Sequence, residues 1–336
     1  MKLQTLKSAA YLTALVCLAA PAHADWVRRV TDGIMGTRIT VELWADDEQK
    51  ANRAIDALLD EMRHIDDSMS TYKPTSEVSQ VNARAADGPM KISKELFDLL
   101  VTAKQYSVLT DGAFDITYAS VGYMYDFRKH VHPDDAQIGK ALPAVDYRHV
   151  LLDPKNQTVQ FSQKGVRIDL GGIAKGYSVD KGIEVLQSFG ITRAYVSAGG
   201  DSRIIGDRFG KPWMVGIRDP RKGEGSVITK IPLADAAIST SGDYERFFEE
   251  NGVRYHHIID PRTGRSASKV RSATVIGPYA TRTDGLSKTA FVLGPEKAME
   301  IYNRIDDIDA IIVKLDGTVI YSKGLEPAKI PAPAKQ

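Results

Sequence analysis

Five short segments between residues 166 and 294 place glycine next to polar or charged residues at the edge of an apolar run. In chain order they read IDLGGIAKGY, SAGGD, ISTSGDYERFF, HHIIDPRTG and TDGLSKTAFVLG. Glycine lets main-chain N–H groups approach anionic oxygens closely, and a helix that begins after such a loop adds the positive end of its dipole. Together the five segments indicate a site for a large phosphorylated ligand.

The first of these segments is expected to connect a strand to a helix. Residues 166–169 alternate β-branched and polar side chains, while residues 173–190 carry apolar residues at helical spacing. The loop between them matches neither the GxxxxGK(S/T) phosphate loop nor the GxGxxG dinucleotide fingerprint. For any one segment alone, a glycine turn kept for tight packing is the structural alternative.

Cleavage of a diphosphate needs a cation and a base. Asp284, at the start of a predicted helix, is the candidate carboxylate for magnesium, and capping of that helix is its structural alternative. His256 and His257 adjoin a predicted strand, so only one of them can face a given cleft. His257 is the candidate general base because the ordinary pKa of histidine lies near neutrality; a purely structural histidine is the alternative.

Composition fixes the broad class of the chain. Of its 336 residues, 43% are hydrophobic and 26% are charged, which is typical of a globular protein. The formal net charge is +1 and no basic stripe with interleaved aromatic residues occurs, which argues against nucleic-acid binding. Seven histidines and one cysteine provide no CxxC or histidine-rich metal framework.

The first 24 residues have the pattern of a cleaved signal peptide. Lys2 and Lys7 precede an apolar run over residues 9–20, which the AxA-like sequence PAHA follows at residues 21–24. We expect cleavage after residue 24, export to the periplasm and a soluble mature protein without a membrane span.

Two further features concern the ends of the chain. Val16 stands before Cys17 where a lipoprotein signal needs a small residue, which disfavours a lipid anchor, and the mature chain then has no thiol. Residues 326–336 are rich in proline, alanine and lysine, which is typical of a flexible tail. Residues 25–325 are therefore predicted to form a single domain.

Periodicity predicts an α+β protein with mixed, mostly antiparallel sheets and packed helices. The predicted helices span residues 48–65, 94–108, 173–190, 283–293 and 296–304. The predicted strands span residues 38–44, 150–152, 159–161, 193–196, 214–217, 228–231, 257–259, 273–276, 310–313 and 319–321. No composition shift marks a linker, so we expect two packed lobes that share one cleft.

Seven segments spread over the mature chain follow one pattern. They are MGT at residues 35–37, STYKPTSE at 70–77, GAFDIT at 112–117, DLGGIAKGY at 169–177, SAGGD at 197–201, ISTSGDY at 238–244 and HIIDPRTG at 257–264. In this order they resemble the ApbE family of FAD:protein FMN transferases. The resemblance implies a T-fold-like architecture with the flavin in a cleft between the two lobes.

The resemblance also implies a reaction. Such enzymes cleave the diphosphate of FAD, attach FMN through a phosphoester bond to a threonine or serine of a target protein, and release AMP. The expected partners are FAD and extracytoplasmic FMN-accepting domains of redox membrane proteins. Two alternatives stay open at this point: a metal-dependent FAD pyrophosphatase, in which water replaces the acceptor hydroxyl, and a non-catalytic FAD carrier.

The family pattern assigns roles to individual positions. His257 matches the residue beside the acceptor hydroxyl, Asp284 the magnesium-binding carboxylate, and Gly172 the position whose main-chain carbonyl completes the metal shell. The positions that match FAD contacts are Met35, Tyr72, Ala113, Phe114, Asp115, Asp169, Lys175 and Ile258.

The chain departs from the family pattern in two places. Lys288 stands four residues after Asp284, where the family has a threonine, and Thr289 follows it. Lys288 is expected to displace a cation or to substitute for its charge, unless an irregular helix brings Thr289 into the metal shell. The second departure is the tyrosine-rich stretch of residues 118–127, which lines the flavin or acceptor or packs between lobes. Both departures resemble a subgroup linked to nitrous oxide reductase and Rnf/Nqr-type electron-transfer systems.

Overall fold

The computed structural model describes residues 25–223 and 225–325. The predicted signal peptide, residues 1–24, and the predicted tail, residues 326–336, lie outside the described residues. No helix within the described ranges has the length and apolar character needed to cross a membrane.

Most helices of the described chain lie before residue 190, and a long run of strands follows them. The strands are β1 (Asp25–Ile34), β2 (Thr37–Ala45), β3 (Met90–Lys91), β4 (Val150–Asp153), β5 (Thr158–Phe161), β6 (Ala194–Ala198), β7 (Asp201–Ile205), β8 (Trp213–Arg218), β9 (Val227–Leu233), β10 (Ala237–Gly242), β11 (Phe247–Glu250), β12 (Val253–His256), β13 (Ile259–Asp260), β14 (Arg265–Ser266), β15 (Val270–Gly277), β16 (Asp309–Lys314) and β17 (Val319–Tyr321). The α-helices are α1 (Glu48–Met69), α2 (Glu77–Arg84), α3 (Lys94–Leu109), α4 (Ala119–Gly122), α5 (Asp135–Ala141), α6 (Ala174–Ser188), α7 (Ala280–Leu286), α8 (Thr289–Leu293) and α9 (Pro295–Tyr302). Short 3-10 turns span Ile116–Tyr118, Leu142–Ala144, Tyr147–His149 and Lys323–Leu325.

An eight-stranded sheet forms the centre of the fold, in the order β1-β2-β6-β7-β10-β15-β16-β17. Every neighbouring pair in it is antiparallel. The hairpin between β1 and β2 turns through Met35 and Gly36, whose φ angles of 53° and 65° are those of a tight hairpin turn. The predicted class, mostly antiparallel sheets with packed helices, is confirmed.

The two faces of this sheet bury different layers. Ile205 points into a core shared with α1 and α6, whereas its neighbour Ile204 points into a core shared with the β8–β9 hairpin. Successive strand residues face opposite sides, so alternating apolar residues can fill both layers. Helix α1 begins at the N-cap Asp47, whose carboxylate accepts hydrogen bonds from the next turn.

Two further cores complete the packing. Helices α2 and α3 pack with the small sheet β3-β5-β4 and with apolar residues of the segment that leads into α6. Helices α8 and α9 pack on β15 and β16. The start of α6 therefore lies between the first of these cores and the central sheet.

The strand predicted at residues 166–169 is wrong, because a side chain takes the place of a partner strand. The Ile168 N–H donates to Asn82 Oδ1 at 2.7 Å, and the Asn82 amide donates to the Ile168 carbonyl oxygen at 2.9 Å. One amide side chain thus satisfies both main-chain groups of Ile168. The segment stays extended without joining a sheet.

The strand predicted at residues 257–259 is also wrong. Strand β12 ends at His256 and β13 begins at Ile259, so His257 and Ile258 lie in the link between them. The Ser266 hydroxyl accepts from the His256 N–H at 2.9 Å and donates to the His256 carbonyl at 2.8 Å. These bonds fix the main chain just before the link.

The single helix predicted over residues 283–293 is broken into α7 and α8. In a continuous helix the Asp284 carbonyl would accept from the Lys288 N–H. Here it accepts instead from the Ser287 N–H at 3.3 Å, from the Ser287 hydroxyl at 2.9 Å and from the Lys288 ammonium at 2.7 Å. A tighter main-chain bond and two side-chain donors have therefore replaced the helical hydrogen bond at this point.

Candidate active site

The loop before α6 is held by the carboxylate of Asp169. This group accepts hydrogen bonds from the Thr71 hydroxyl at 2.8 Å, the Gly171 N–H at 2.6 Å and the Tyr118 hydroxyl at 3.2 Å. It connects the loop to the residues after α1 and after α3. Asp169 thus fixes the glycine loop at the positive end of α6.

Helices α6 and α7 touch at Gly176. The Gly176 N–H, in the first turn of α6, donates to Asp284 Oδ2 at 3.0 Å. A Cβ at this position would lie 2.1 Å from the Ala280 carbonyl oxygen, so only glycine fits. The prediction that Asp284 stands at the start of a helix is wrong: it is the fifth residue of α7, fully buried, and accepts from a neighbouring helix rather than capping its own.

Other polar contacts fix α7 in place. Asp180 of α6 accepts from the N–H groups of Ala280 and Thr281 at 3.0 and 2.8 Å, which caps α7 from outside the helix. From β10, Ser239 bonds Thr283 at 2.8 Å through their hydroxyls. The ISTSG segment therefore serves to position α7.

Four charged side chains form a buried chain in the order Asp201, Lys175, Asp284 and Lys288. Lys175 pairs closely with Asp201, and its Nζ lies 3.8 Å from Asp284 Oδ2, while Lys288 pairs closely with Asp284 Oδ1. Burial raises the pKa of Asp201, and the charge of Asp284 adds to that effect. Burial acts in the same direction on Asp284, but the two lysines hold its pKa below the usual range. The pKa values of the two carboxylates are therefore shifted in opposite directions.

Lys288 lies at the convergence of three oxygen atoms. Its ammonium donates to the Gly172 carbonyl oxygen at 3.2 Å and to the Asp284 carbonyl oxygen at 2.7 Å, in addition to Asp284 Oδ1. Gly172 and Asp284 are thus brought together as predicted, but the oxygens predicted to hold magnesium hold an ammonium. A magnesium ion does not fit this arrangement, and the described residues contain no cluster of three or more His, Cys, Asp or Glu that could hold a metal.

Thr289 faces a different part of the fold. Its hydroxyl is buried near Tyr302, whose own hydroxyl donates to the Leu286 carbonyl at 2.8 Å. Thr289 Oγ1 is buried without a hydrogen-bond partner among the described residues. The helix break that could have turned Thr289 toward Gly172 is present, but it presents Lys288 instead.

His257 is a neutral imidazole among cations. Burial is the largest cause that lowers its pKa, to about 3. Positive charge lowers it further, from His256, Arg246, Lys175 and Lys288. The Nδ1 atom is buried without a hydrogen-bond partner in the described ranges, and the ring as a whole is partly exposed.

His256 points elsewhere, although His257 lies outside the strand on which the alternation argument depended. Its ring is 1% exposed and meets the Phe291 ring edge-on at 5.9 Å between centroids. Burial lowers the pKa of His256 to about 4. It is a core residue beside α8.

The predicted flavin positions fall into an exposed set and a packed set. Tyr72 is 88% exposed, and Met35 lies in the hairpin turn between β1 and β2. Phe114 is buried beside the glycine loop, since its ring lies 3.4 Å from where a Cβ on Gly172 would be. Ala113 and Ile258 are buried in the core with α8 and α9.

Asp115 has an internal role. Its carboxylate accepts from the Thr117 N–H at 2.8 Å and from the Tyr147 N–H at 2.7 Å. Burial raises its pKa against these bonds. The side chain therefore fixes the turn after Phe114, and its contact with the flavin stays a prediction.

Sequence reasoning missed Arg246 and gave no role to Asp201. Arg246 donates from Nη2 to the Gly36 carbonyl at 3.2 Å, and its own carbonyl accepts from the His257 N–H at 3.1 Å. It links the hairpin turn to the histidine and adds a cation. Both residues lie inside the glycine segments, which is the signal that could have found them.

Comparison with known proteins shows the family of the chain. The ApbE family model matches residues 35–312. An FAD:protein FMN transferase of Vibrio cholerae is 34% identical over 276 residues, which cover 80% of this chain and 81% of the relative. One of Treponema pallidum is 33% identical over 274 residues, 76% of each protein.

Solved structures give the same result. The ApbE protein of Thermotoga maritima superposes with a TM-score of 0.82 at 36% identity, over 89% of this chain and 97% of its own. The flavin transferase ApbE of Vibrio cholerae superposes with a TM-score of 0.77 at 30% identity, over 90% and 99%. The chain belongs to the ApbE family. Like these relatives, it is an FAD:protein FMN transferase.

Proposed function

We propose that this enzyme transfers the FMN part of FAD to the hydroxyl of a threonine or serine in a target protein. The hydroxyl oxygen forms a bond to the phosphorus of the FMN half. The bond from that phosphorus to the bridging oxygen breaks, and its electron pair leaves with AMP. The hydroxyl proton passes to His257, so that atoms and charges balance.

The observation that carries this proposal is the neutral His257 imidazole among Arg246, Lys175 and Lys288. Cations and the N-terminus of α6 suit a diphosphate, and a neutral imidazole suits removal of a hydroxyl proton. Since Nδ1 is buried, Nε2 is the ring nitrogen that faces the acceptor. The negative charge of a bound diphosphate offsets the cations and raises the pKa of His257, which makes it a better base when substrate is present.

The proposal includes no magnesium step. The resemblance to the family implies magnesium, but the Gly172 carbonyl and the Asp284 carboxylate, which were predicted to hold it, accept from Lys288. The residues of this chain that act on FAD are therefore the cations, the α6 N-terminus and His257. Tyr72 offers its exposed ring to an aromatic part of the substrate.

Mass spectrometry of an acceptor domain incubated with the protein and FAD tests the proposal. The acceptor should be one that the Vibrio cholerae flavin transferase modifies, so that the relative serves as positive control. A mass increase equal to FMN, with one AMP released per adduct, is expected. AMP release without an adduct would show hydrolysis instead, and FAD binding with neither product would show a carrier.

We also propose that the enzyme works in the periplasm on extracytoplasmic domains of redox membrane proteins. The support is the signal-peptide pattern of residues 1–24, which the described residues do not include. N-terminal sequencing of protein recovered from the periplasm is the test. A mature chain that begins at Asp25 is expected, and a chain that retains residue 1 in the cytoplasm would contradict the proposal.

A further inference from the structure

The positive charge beside Asp284 comes from the chain itself. An ammonium has three N–H donors, and Lys288 directs them at three oxygens: the carbonyls of Gly172 and Asp284 and the carboxylate Oδ1 of Asp284. The side chain is only 18% exposed. Each of the three N–H donors has one oxygen acceptor, so the position of the ammonium is fixed by three hydrogen bonds.

Both carboxylate oxygens of Asp284 already have partners in the protein. Oδ1 pairs with Lys288, while Oδ2 accepts from the Gly176 N–H at 3.0 Å and lies 3.8 Å from Lys175 Nζ. Magnesium requires oxygen ligands at about 2.0–2.1 Å in octahedral geometry and dehydrates reluctantly. A magnesium ion at these oxygens would have to share them with an ammonium of like charge.

The neighbouring residues hold Lys288 in this position. A Cβ on Gly172 would lie 3.7 Å from Lys288 Cε and 3.4 Å from the Phe114 ring, so the stem of the lysine packs beside the glycine loop. The break between α7 and α8 places residue 288 outside both helices. Lys288 therefore reaches back to Asp284 from a fixed main-chain position.

We infer that Lys288 replaces the divalent cation at Gly172 and Asp284, so that this enzyme transfers FMN without a metal ion at that position. The inference rests on the proposed function. The bonds that form and break are those of the proposed transfer, and no further reactant is needed. The ammonium stabilises the charge that develops on the phosphate oxygens as the bridging bond breaks.

Metal binding by the protein alone provides the first test. Manganese(II), a paramagnetic substitute for magnesium, is titrated into the purified protein without FAD and followed by electron paramagnetic resonance. The wild-type protein and the control Lys297→Thr, an exposed lysine of α9, should bind no manganese at this position. Lys288→Thr should bind one manganese per chain, because three oxygens are released and a hydroxyl is added.

The identity of the bound position is checked with a second substitution. Adding Asp284→Asn to Lys288→Thr should remove the manganese signal. If the wild-type protein binds one manganese that Asp284→Asn abolishes, the inference is overturned. This comparison needs only the wild-type chain and one variant, so it holds even if Lys288→Thr fails to fold.

Activity gives an independent readout. Transfer by the wild-type protein should change by less than about twofold when EDTA replaces magnesium, whereas Lys288→Thr should need the metal. Wild-type transfer that EDTA lowers by about tenfold or more would overturn the inference and leave the proposed function intact. Absence of adduct under every condition, with the Vibrio cholerae enzyme active in parallel, would overturn the proposed function; manganese binding would still decide the role of Lys288.

Discussion

Gly176 donates its N–H to the Asp284 carboxylate at 3.0 Å, at a point where α6 and α7 approach so closely that a Cβ would lie 2.1 Å from the Ala280 carbonyl oxygen. Gly176→Ala is expected to destabilise the protein by about 1–3 kcal/mol, because the helices must separate. Urea denaturation measures the change. The control Gly139→Ala, in α5 with open space around it, should be neutral or stabilising by up to about 1 kcal/mol. Equal stability of the two variants would contradict the close approach.

His257→Ala is expected to keep FAD binding but to lower FMN transfer by about 10²- to 10⁴-fold, the usual contribution of a general base. Quenching of flavin fluorescence measures the binding, and adduct mass measures the transfer. His64→Ala, at an exposed histidine of α1, is the matched control and should behave as the wild type. Full transfer by His257→Ala would remove this residue from the mechanism.

The buried histidine His256 predicts a loss of stability in acid. Its pKa is lowered from 6.5 to about 4 in the folded state, so the unfolded chain binds more protons between these values. His256 therefore makes the free energy of unfolding fall as the pH drops from 6.5 toward 4, by up to about 1.4 kcal/mol per pH unit. His257, whose pKa is lowered to about 3, adds a fall in the same direction.

Urea denaturation at several pH values between 4 and 7 measures this slope. His256→Gln should flatten it, while His64→Gln, at an exposed site, should leave it unchanged. A slope that His256→Gln does not alter would show that other groups control the acid sensitivity.

The buried pair of Lys175 and Asp201 predicts a large effect from removal of one partner. Lys175→Met leaves the Asp201 carboxylate, 3% exposed, without its ammonium, and is expected to cost about 3–5 kcal/mol. The double variant Lys175→Met/Asp201→Asn should recover part of that loss. Lys94→Met, which breaks an exposed pair with Asp98, should change stability by less than about 1 kcal/mol. The free energy of unfolding in urea decides between these outcomes, and a Lys175→Met variant as stable as Lys94→Met would contradict the buried pair.

Local sequence patterns were sufficient to predict a strand or helix when the spacing of its own apolar residues determines its structure. The alternation over residues 38–44 predicted β2, and the apolar spacing over residues 48–65 predicted α1, because burial on one side determines both. The glycine segments predicted a polar site, and the structure brings Gly172, Lys175 and Asp284 together there.

Tertiary contacts explain what the sequence did not predict. The pairing of Ile168 with the Asn82 amide joins residues 86 positions apart, and no local pattern distinguishes it from a strand. The apolar spacing over residues 283–293 continues through the helix break, so it does not show the polar donors of Ser287 and Lys288 that bind the Asp284 carbonyl there. The position of the Lys288 ammonium at Asp284 likewise depends on a hydrogen bond to the Gly172 carbonyl, 116 residues away.

The ammonium of Lys288 is joined covalently to the enzyme that uses it. Its charge is present at one copy per molecule from the moment the chain folds, whatever the concentration of divalent ions around it. The amount of this charge therefore depends on the amino-acid sequence and not on the ions in the surrounding medium. The gain is insensitivity to chelators and to competing metals, and the accompanying limit is that the charge cannot be exchanged for a different ion.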